Sequence, residues 1–210
     1  MENYVVKLVS NKVAKEMVKM NHYSHAWTMC KYALGLFRNS MMMGVAVYGR
    51  PVGRLAAQSI APGIKDNEVL ELTRLWIADS EGKNTESWFI GQTFKWLKKH
   101  DKNIKVLLSY SDLNAGHVGI IYQATNWIYQ GRTQDTDAYK SHNKLIHGRT
   151  VFSKYGTRSI VKLEEMGVKI EKVKMEQKYR YLYILADKRE KKKILKNLYV
   201  KPLPYEKIGE

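Results

Sequence analysis

The run Ile104–Tyr110, apolar but for Lys105 and Ser109, constrains this chain more than any other segment. A strand that is apolar on successive residues needs cover on both faces, so it belongs at the centre of a sheet with other elements packed above and below. A second strand is legible in Glu68–Ala78, where Val69, Leu72, Leu75 and Ile77 oppose Glu68, Glu71, Thr73 and Arg74. Between the two lie a loop, Asp79–Asn84, and a helix expected from about Thr85 to His100. Its stripe is Phe89, Ile90, Phe94 and Leu97, with Asn84 placed to cap it.

The other elements follow from the same rules. Residues 3–9 read as a strand and 11–20 as a helix capped by Ser10 or Asn11. Tyr32–Phe37 and Met42–Tyr48 read as a hairpin, Leu55–Ile60 as a short strand, and His117–Thr125 as a helix. Trp127–Gln130 and Lys178–Ala186 read as strands, 131–143 as a polar loop, and Arg149–Tyr155 and Ser159–Met166 as helices or turns. The expected fold class is mixed α/β: a central mixed β-sheet flanked by helices over residues 1–186, with a basic C-terminal extension at 187–210.

Composition bears on the partner. The chain has 210 residues, 36 Lys and Arg against 20 Asp and Glu, a net charge of +16. Its 44% hydrophobic content excludes a disordered polycation. Residues 141–210 hold 18 basic and 8 acidic residues, a net of +10, against +6 for residues 1–140. Basic residues alternate with aromatics around Lys178 and Arg180, and a cationic run covers Lys188, Arg189, Lys191, Lys192 and Lys193. Phosphate-pairing cations beside stacking rings suit nucleic acid better than a membrane surface. The single Cys30 excludes a disulfide framework and a cysteine zinc site. No apolar run reaches the roughly 18 residues that span a bilayer, and the first residues lack a signal-peptide layout. A soluble cytoplasmic protein is the expectation.

Several groups could carry chemistry. His22, Tyr23 and His25 put two imidazoles and a phenol into one turn, titrating groups suited to acid–base work. Ser109-Tyr110-Ser111-Asp112 ends the central strand, where ligands of open α/β sheets bind. Arg74 lies on a strand and needs a partner there, either Asp112 or a substrate phosphate. The start of the 85–100 helix, with Asn84 and Ser87, offers free N–H groups to an anion, although Gly82 is the sole glycine of that loop. Tyr122 points either to the site or into the core. His22, His25 and Asp112 could form a two-histidine, one-carboxylate iron set. Signatures of P-loop ATPases, α/β-hydrolases and zinc deaminases are missing.

The element order resembles the GNAT N-acyltransferase fold. More closely, Asn21–His25, Leu72–Trp76, Asn84–Phe89, Ser109–Asp112 and Gly116–Trp127 resemble, in order, the Mom family of bacteriophage DNA adenine-modification proteins. That resemblance covers roughly residues 1–185. It implies an enzyme that adds a carbamoylmethyl-type group to the N6 amine of adenine in double-stranded DNA, in the host cytoplasm, against host restriction endonucleases. It further implies a flipped adenine, a small-molecule donor, and a site made of His22, Tyr23, Arg74, Ser87, Asp112 and Tyr122; His117 is expected, with Arg74, Asn84 and Ser87, to bind substrate or donor. The donor and the metal requirement stay open, an acyl-CoA-like molecule and iron both being candidates, as does assembly as a monomer or homodimer. The alternatives are a GNAT-fold acyltransferase acting on a protein or small molecule, and a non-enzymatic basic DNA-binding protein.

Overall fold

The structure is a computed structural model describing residues 3–53, 55–134, 136–141, 144–175 and 177–206. Seven strands form the main sheet in the order β1-β2-β3-β4-β5-β10-β6. They are β1 (Tyr4–Leu8), β2 (Tyr32–Arg38), β3 (Met41–Gly49), β4 (Val69–Ile77), β5 (Val106–Asp112), β6 (Ile128–Arg132) and β10 (Lys178–Ile184). The mixed α/β class is as expected, and β5 sits where its apolar run requires, between β4 and β10.

Both faces of β5 are covered. On one side Leu107 joins Leu70 and Leu72 against Phe89, Ile90, Phe94 and Leu97 of α2 (Thr85–His100). On the other, Val106 and Leu108 join Val69, Leu182 and Ile184 beneath Ile194 of α6 (Lys188–Lys196) and Leu198. Helix α1 (Asn11–Asn21) lays Ala14 and Val18 over Val45 and Val47 of β3, capped by the Ser10 hydroxyl, which accepts from the Val13 N–H. Burying so many aliphatic side chains, each contributing roughly 1.5–3 kcal/mol, holds these layers together.

One break in the ladder positions the site. Strands β4 and β5 are the main sheet's parallel pair, and they pair only at Val69–Val106, Leu70–Leu107 and Glu71–Leu108. Beyond that point they diverge. The buried Ser109 hydroxyl bridges the start of the gap by donating to the Leu72 carbonyl (2.9 Å).

Three expectations are corrected. Leu55–Ile60 is a run of turns rather than a strand: the Ser59 N–H bonds the Leu55 carbonyl and Ile60 the Ala57 carbonyl. Ala57, Ile60 and Ala61 are buried at a helical spacing, which a period-2 reading misses. The 131–143 loop instead contains the end of β6 and all of β7 (Thr136–Ser141), and β8 (Lys144–His147) and β9 (Glu171–Met175) went unread; together they form a second sheet, β8-β7-β9. These strands are short and polar, and pairing with one another, rather than local pattern, makes them strands. Helices α4 (Gly148–Tyr155) and α5 (Ile160–Glu165) complete this insertion, with Tyr139, Val151 and Leu163 as its core. Finally, Asn84 takes a left-handed conformation (φ 65°) without a side-chain cap bond; its carbonyl accepts the Trp88 N–H instead.

The basic extension docks. Asp187 caps α6, Lys105 bridges Glu68 and Glu190, and the following chain runs along edge strand β6. There the Leu203 N–H bonds the Tyr129 carbonyl, and Glu206 accepts from Tyr129, Tyr179 and Arg132. Residues 207–210 of the extension lie outside the described residues.

Candidate active site

The divergence of β4 and β5 opens a cleft of about 500 Å³. Asn21, His22 and Tyr23 enter from the end of α1, Leu72–Ile77 and Tyr110–Asp112 line its sides, and residues 116–122 close it, including the first turn of α3 (Ile120–Ala124). It therefore gathers His22, Tyr23, Arg74, Asp112, His117 and Tyr122 from four separate stretches of chain.

His22 is 5% exposed and forms the C-cap of α1. Its Nδ1 accepts the backbone N–H of Ser24 (3.1 Å), with the Ser24 hydroxyl 2.9 Å away. A neutral imidazole with Nδ1 as acceptor carries its proton on Nε2. Burial lowers its pKa from 6.5 to about 4, and the charges of Arg74, His117 and His25 act in the same direction. Stability therefore depends on pH with a definite sign: the unfolded state takes up a proton below pH 6.5, while the folded state resists until about pH 4. Between those values His22 costs stability as pH falls, at up to about 1.4 kcal/mol per pH unit. Urea titrations at pH 7 and 5 should show a smaller loss in His22→Gln than in the parent; an equal loss would count against the burial of a neutral ring.

Tyr23 and His117 continue an aromatic wall: the His22–Tyr23 ring centroids lie 4.3 Å apart and Tyr23–His117 4.8 Å. Burial and then Asp112 raise the Tyr23 pKa, keeping it a phenol at neutral pH. Arg74 donates from Nε to the Ala26 carbonyl (2.9 Å) and from an η nitrogen to its neighbour Thr73 (2.6 Å). Asp112, at the end of β5, is held by Lys178 Nζ at 2.8 Å.

Tyr122 is buried beneath the cleft, its ring stacked on Tyr181 (4.6 Å) and its hydroxyl 2.8 Å from Ser109 Oγ. Since the single Ser109 proton goes to Leu72, Tyr122 is the donor in this pair and keeps its lone pairs for another partner. Burial pushes its pKa up to about 12. Ser109 belongs to the candidate stretch Ser109–Asp112, and its part between Leu72 and Tyr122 comes from partners distant in the chain.

Other expected residues lie elsewhere. Asn84 lines a neighbouring hollow with Asp79, Glu81 and Glu86, and Ser87 donates to the Asn84 carbonyl (3.0 Å). Arg180 is half-buried and donates to Ser59 Oγ (2.9 Å). Lys188, Arg189, Lys191, Lys192 and Lys193 are exposed on α6, which starts beside Lys105, at the opposite end of β5 from Asp112. The iron set is not assembled: His25 Nδ1 is turned to the Lys19 carbonyl (2.9 Å), and among the described residues no group of three or more His, Cys, Asp or Glu is placed to hold a metal ion. Among the described residues no helix is long and apolar enough to cross a membrane.

The profile of the Mom protein family matches residues 3–207. The chain belongs to the Mom family. Its similarity to the methylcarbamoylase Mom of Escherichia phage Mu is 26% identity over 202 residues, covering 95% of this chain and 83% of that relative. Among solved structures it is similar to the ribosomal-protein-S5-alanine acetyltransferase of Vibrio fischeri, with a TM-score of 0.51 at 11% identity, covering 89% of this chain and 96% of that one. An acetyltransferase of the GNAT family from Streptococcus pneumoniae aligns with a TM-score of 0.47 at 9% identity, over 86% and 98% of the two chains. The fold of this Mom-family member is thus GNAT-like, as its element order suggested, and a transferase is the coarse functional class.

An acyl-CoA fits this chain poorly at one point. A diphosphate at the start of α2 would meet the hollow formed by Asp79, Glu81 and Glu86, with Lys83 its one lysine or arginine. Glu81 is paired with Arg38 (3.0 Å), which leaves Asp79 and Glu86 to oppose a diphosphate there.

Proposed function

We propose that this chain is a DNA-modifying transferase that joins a carbamoylmethyl-type group to N6 of an adenine turned out of the duplex, protecting the DNA against restriction endonucleases. The observation that carries the reading is the cleft at the divergence of β4 and β5, where Asp112, Tyr122, His22, Tyr23 and Arg74 converge. Family membership and the name of the phage Mu relative support it.

Adenine N6 is weakly nucleophilic, because its lone pair is delocalised into the ring. Catalysis must hold it against the donor, take its proton and stabilise developing charge. In this reading the flipped base lies along the Tyr23–His117 wall, and the lone pairs of Tyr122 accept one N6–H. The N6 nitrogen attacks the methylene carbon of the donor. The bond from that carbon to the leaving group breaks, the leaving group departs with the electron pair, and the N6 proton passes to Asp112. His22 serves as an Nε2–H donor to the donor's amide oxygen rather than as the base, because its Nδ1 is spent on Ser24. Arg74, with further N–H groups beyond its two backbone bonds, steadies the departing group.

Expression in a bacterial host followed by nucleoside mass spectrometry of total DNA tests this. A modified deoxyadenosine, with a carbamoylmethyl group in place of one N6 hydrogen, is expected. Unmodified adenine in cells making folded protein would overturn the reading.

A further inference from the structure

The insertion between β6 and β10 leaves and re-enters the sheet at the lip of the cleft. The Thr133 N–H bonds the Lys178 carbonyl (2.8 Å), the Lys178 N–H bonds the Thr133 hydroxyl (3.0 Å), and the side chain of Lys178 reaches Asp112. The insertion is thus rooted beside Asp112 at the cleft.

Its charge is segregated along the sequence. Between Ala138 and Leu163 there are six lysines and arginines and not one aspartate or glutamate, while Asp135, Asp137, Glu164, Glu165, Glu171 and Glu176 lie on either side of that stretch. On α4 and the turn after it, Val151 is buried in the insertion's core while its neighbour Phe152 stands 54% exposed. The Arg158 guanidinium covers the Phe152 ring at 5.6 Å, and Lys154 covers Tyr155 at 5.0 Å. The Tyr139 hydroxyl donates to the Arg158 carbonyl (2.9 Å), fixing the backbone from which that guanidinium projects. An exposed phenylalanine is unfavourable in water, and a guanidinium stacked on it, in a stretch of sequence without carboxylates, is suited to phosphates and base faces.

We propose that this insertion is the docking surface for duplex nucleic acid beside the cleft. Lys154, Arg158 and Lys162 engage phosphates, and Phe152 meets the base stack next to the target. The inference deepens the DNA-modification reading and rests on it for the identity of the target base. It differs from what the cationic run of α6 suggested, because α6 starts at the far end of the sheet while the insertion is rooted at Asp112.

The test is anisotropy of a fluorescent duplex with the full chain across a salt series. It compares the parent with K154E/R158E and with the α6 variant K191E/K192E, and checks each fold by circular dichroism. The insertion variant should bind at least tenfold more weakly, with the slope of log affinity against log salt reduced by about two; the α6 variant should lose less. Phe152→Ala should bind within about threefold of the parent, yet give a smaller fluorescence rise from 2-aminopurine at the target position. Parent-like binding and salt slope in K154E/R158E would overturn the docking proposal. If the parent binds duplex through this surface and leaves adenine unmodified, docking stands and the modification reading falls. If the parent binds no DNA, both fall.

Discussion

Asp112→Asn should reduce adenine modification by about a thousandfold while leaving duplex binding within a few-fold of the parent. Asp112 lies at the end of β5, at the cleft mouth, its carboxylate held by Lys178. Asparagine preserves the shape but accepts no proton, and a positioned general base contributes typically 10²–10⁴-fold. The stability cost should be small, since the side chain of Lys178 is 43% exposed and can take its charge into water. Mass spectrometry of host DNA beside a binding isotherm separates the two effects. Full modification by the variant would remove Asp112 from the chemistry. A parallel loss of binding would make it a substrate anchor instead.

Gly119→Ala should be the most damaging single methyl group near the site. Gly119 precedes α3 with φ +82°, a region in which an L side chain is strained. A Cβ there would sit 2.1 Å from the Tyr181 hydroxyl and within 2.8 Å of its ring. Tyr181 is 1% exposed and stacks on Tyr122, so it cannot swing into solvent. Strain and overpacking together should cost about 3 kcal/mol, lowering the melting temperature by roughly 6–12 °C for a chain of this length. Displacement of Tyr181 should carry Tyr122 with it and impair modification even in the fraction that stays folded. Calorimetry checks the first effect and assay well below the transition the second. A shift under 2 °C would mean that the two tyrosines can yield.

The sequence revealed the parts of this molecule whose pattern is local. The apolar run in β5, the alternation in β4 and the stripe of α2 each declare their burial within ten or so residues, and the resemblance motifs brought His22, Arg74, Asp112 and Tyr122 to attention. Three things were hidden because they depend on partners distant in the chain. Strands β7, β8 and β9 are polar and short, and gain their identity by pairing with each other. The commitment of Lys178 to Asp112, 66 positions away, turns an apparent phosphate ligand into a neighbour of the reacting group. The proton economy of the site is set by Ser24 against His22 and by Ser109 between Leu72 and Tyr122; serines in such places carry no periodic signal. The α6 cations were conspicuous in sequence, yet that helix begins at the end of the sheet away from the cleft.

The short register between β4 and β5 has a mechanical consequence. Within the sheet, four strands on one side and three on the other are joined by three residue pairs, the Lys105–Glu68 contacts just before them and one serine hydroxyl. The cleft is thus a seam inside the sheet, and its walls are strand edges facing each other across the space a substrate would fill. A ligand bound there touches both halves at once and acts as a rivet. Its arrival should stiffen the whole sheet, and amide exchange along Leu72–Ile77 and Ser109–Asp112 would record that tightening in the protein backbone before any chemistry takes place.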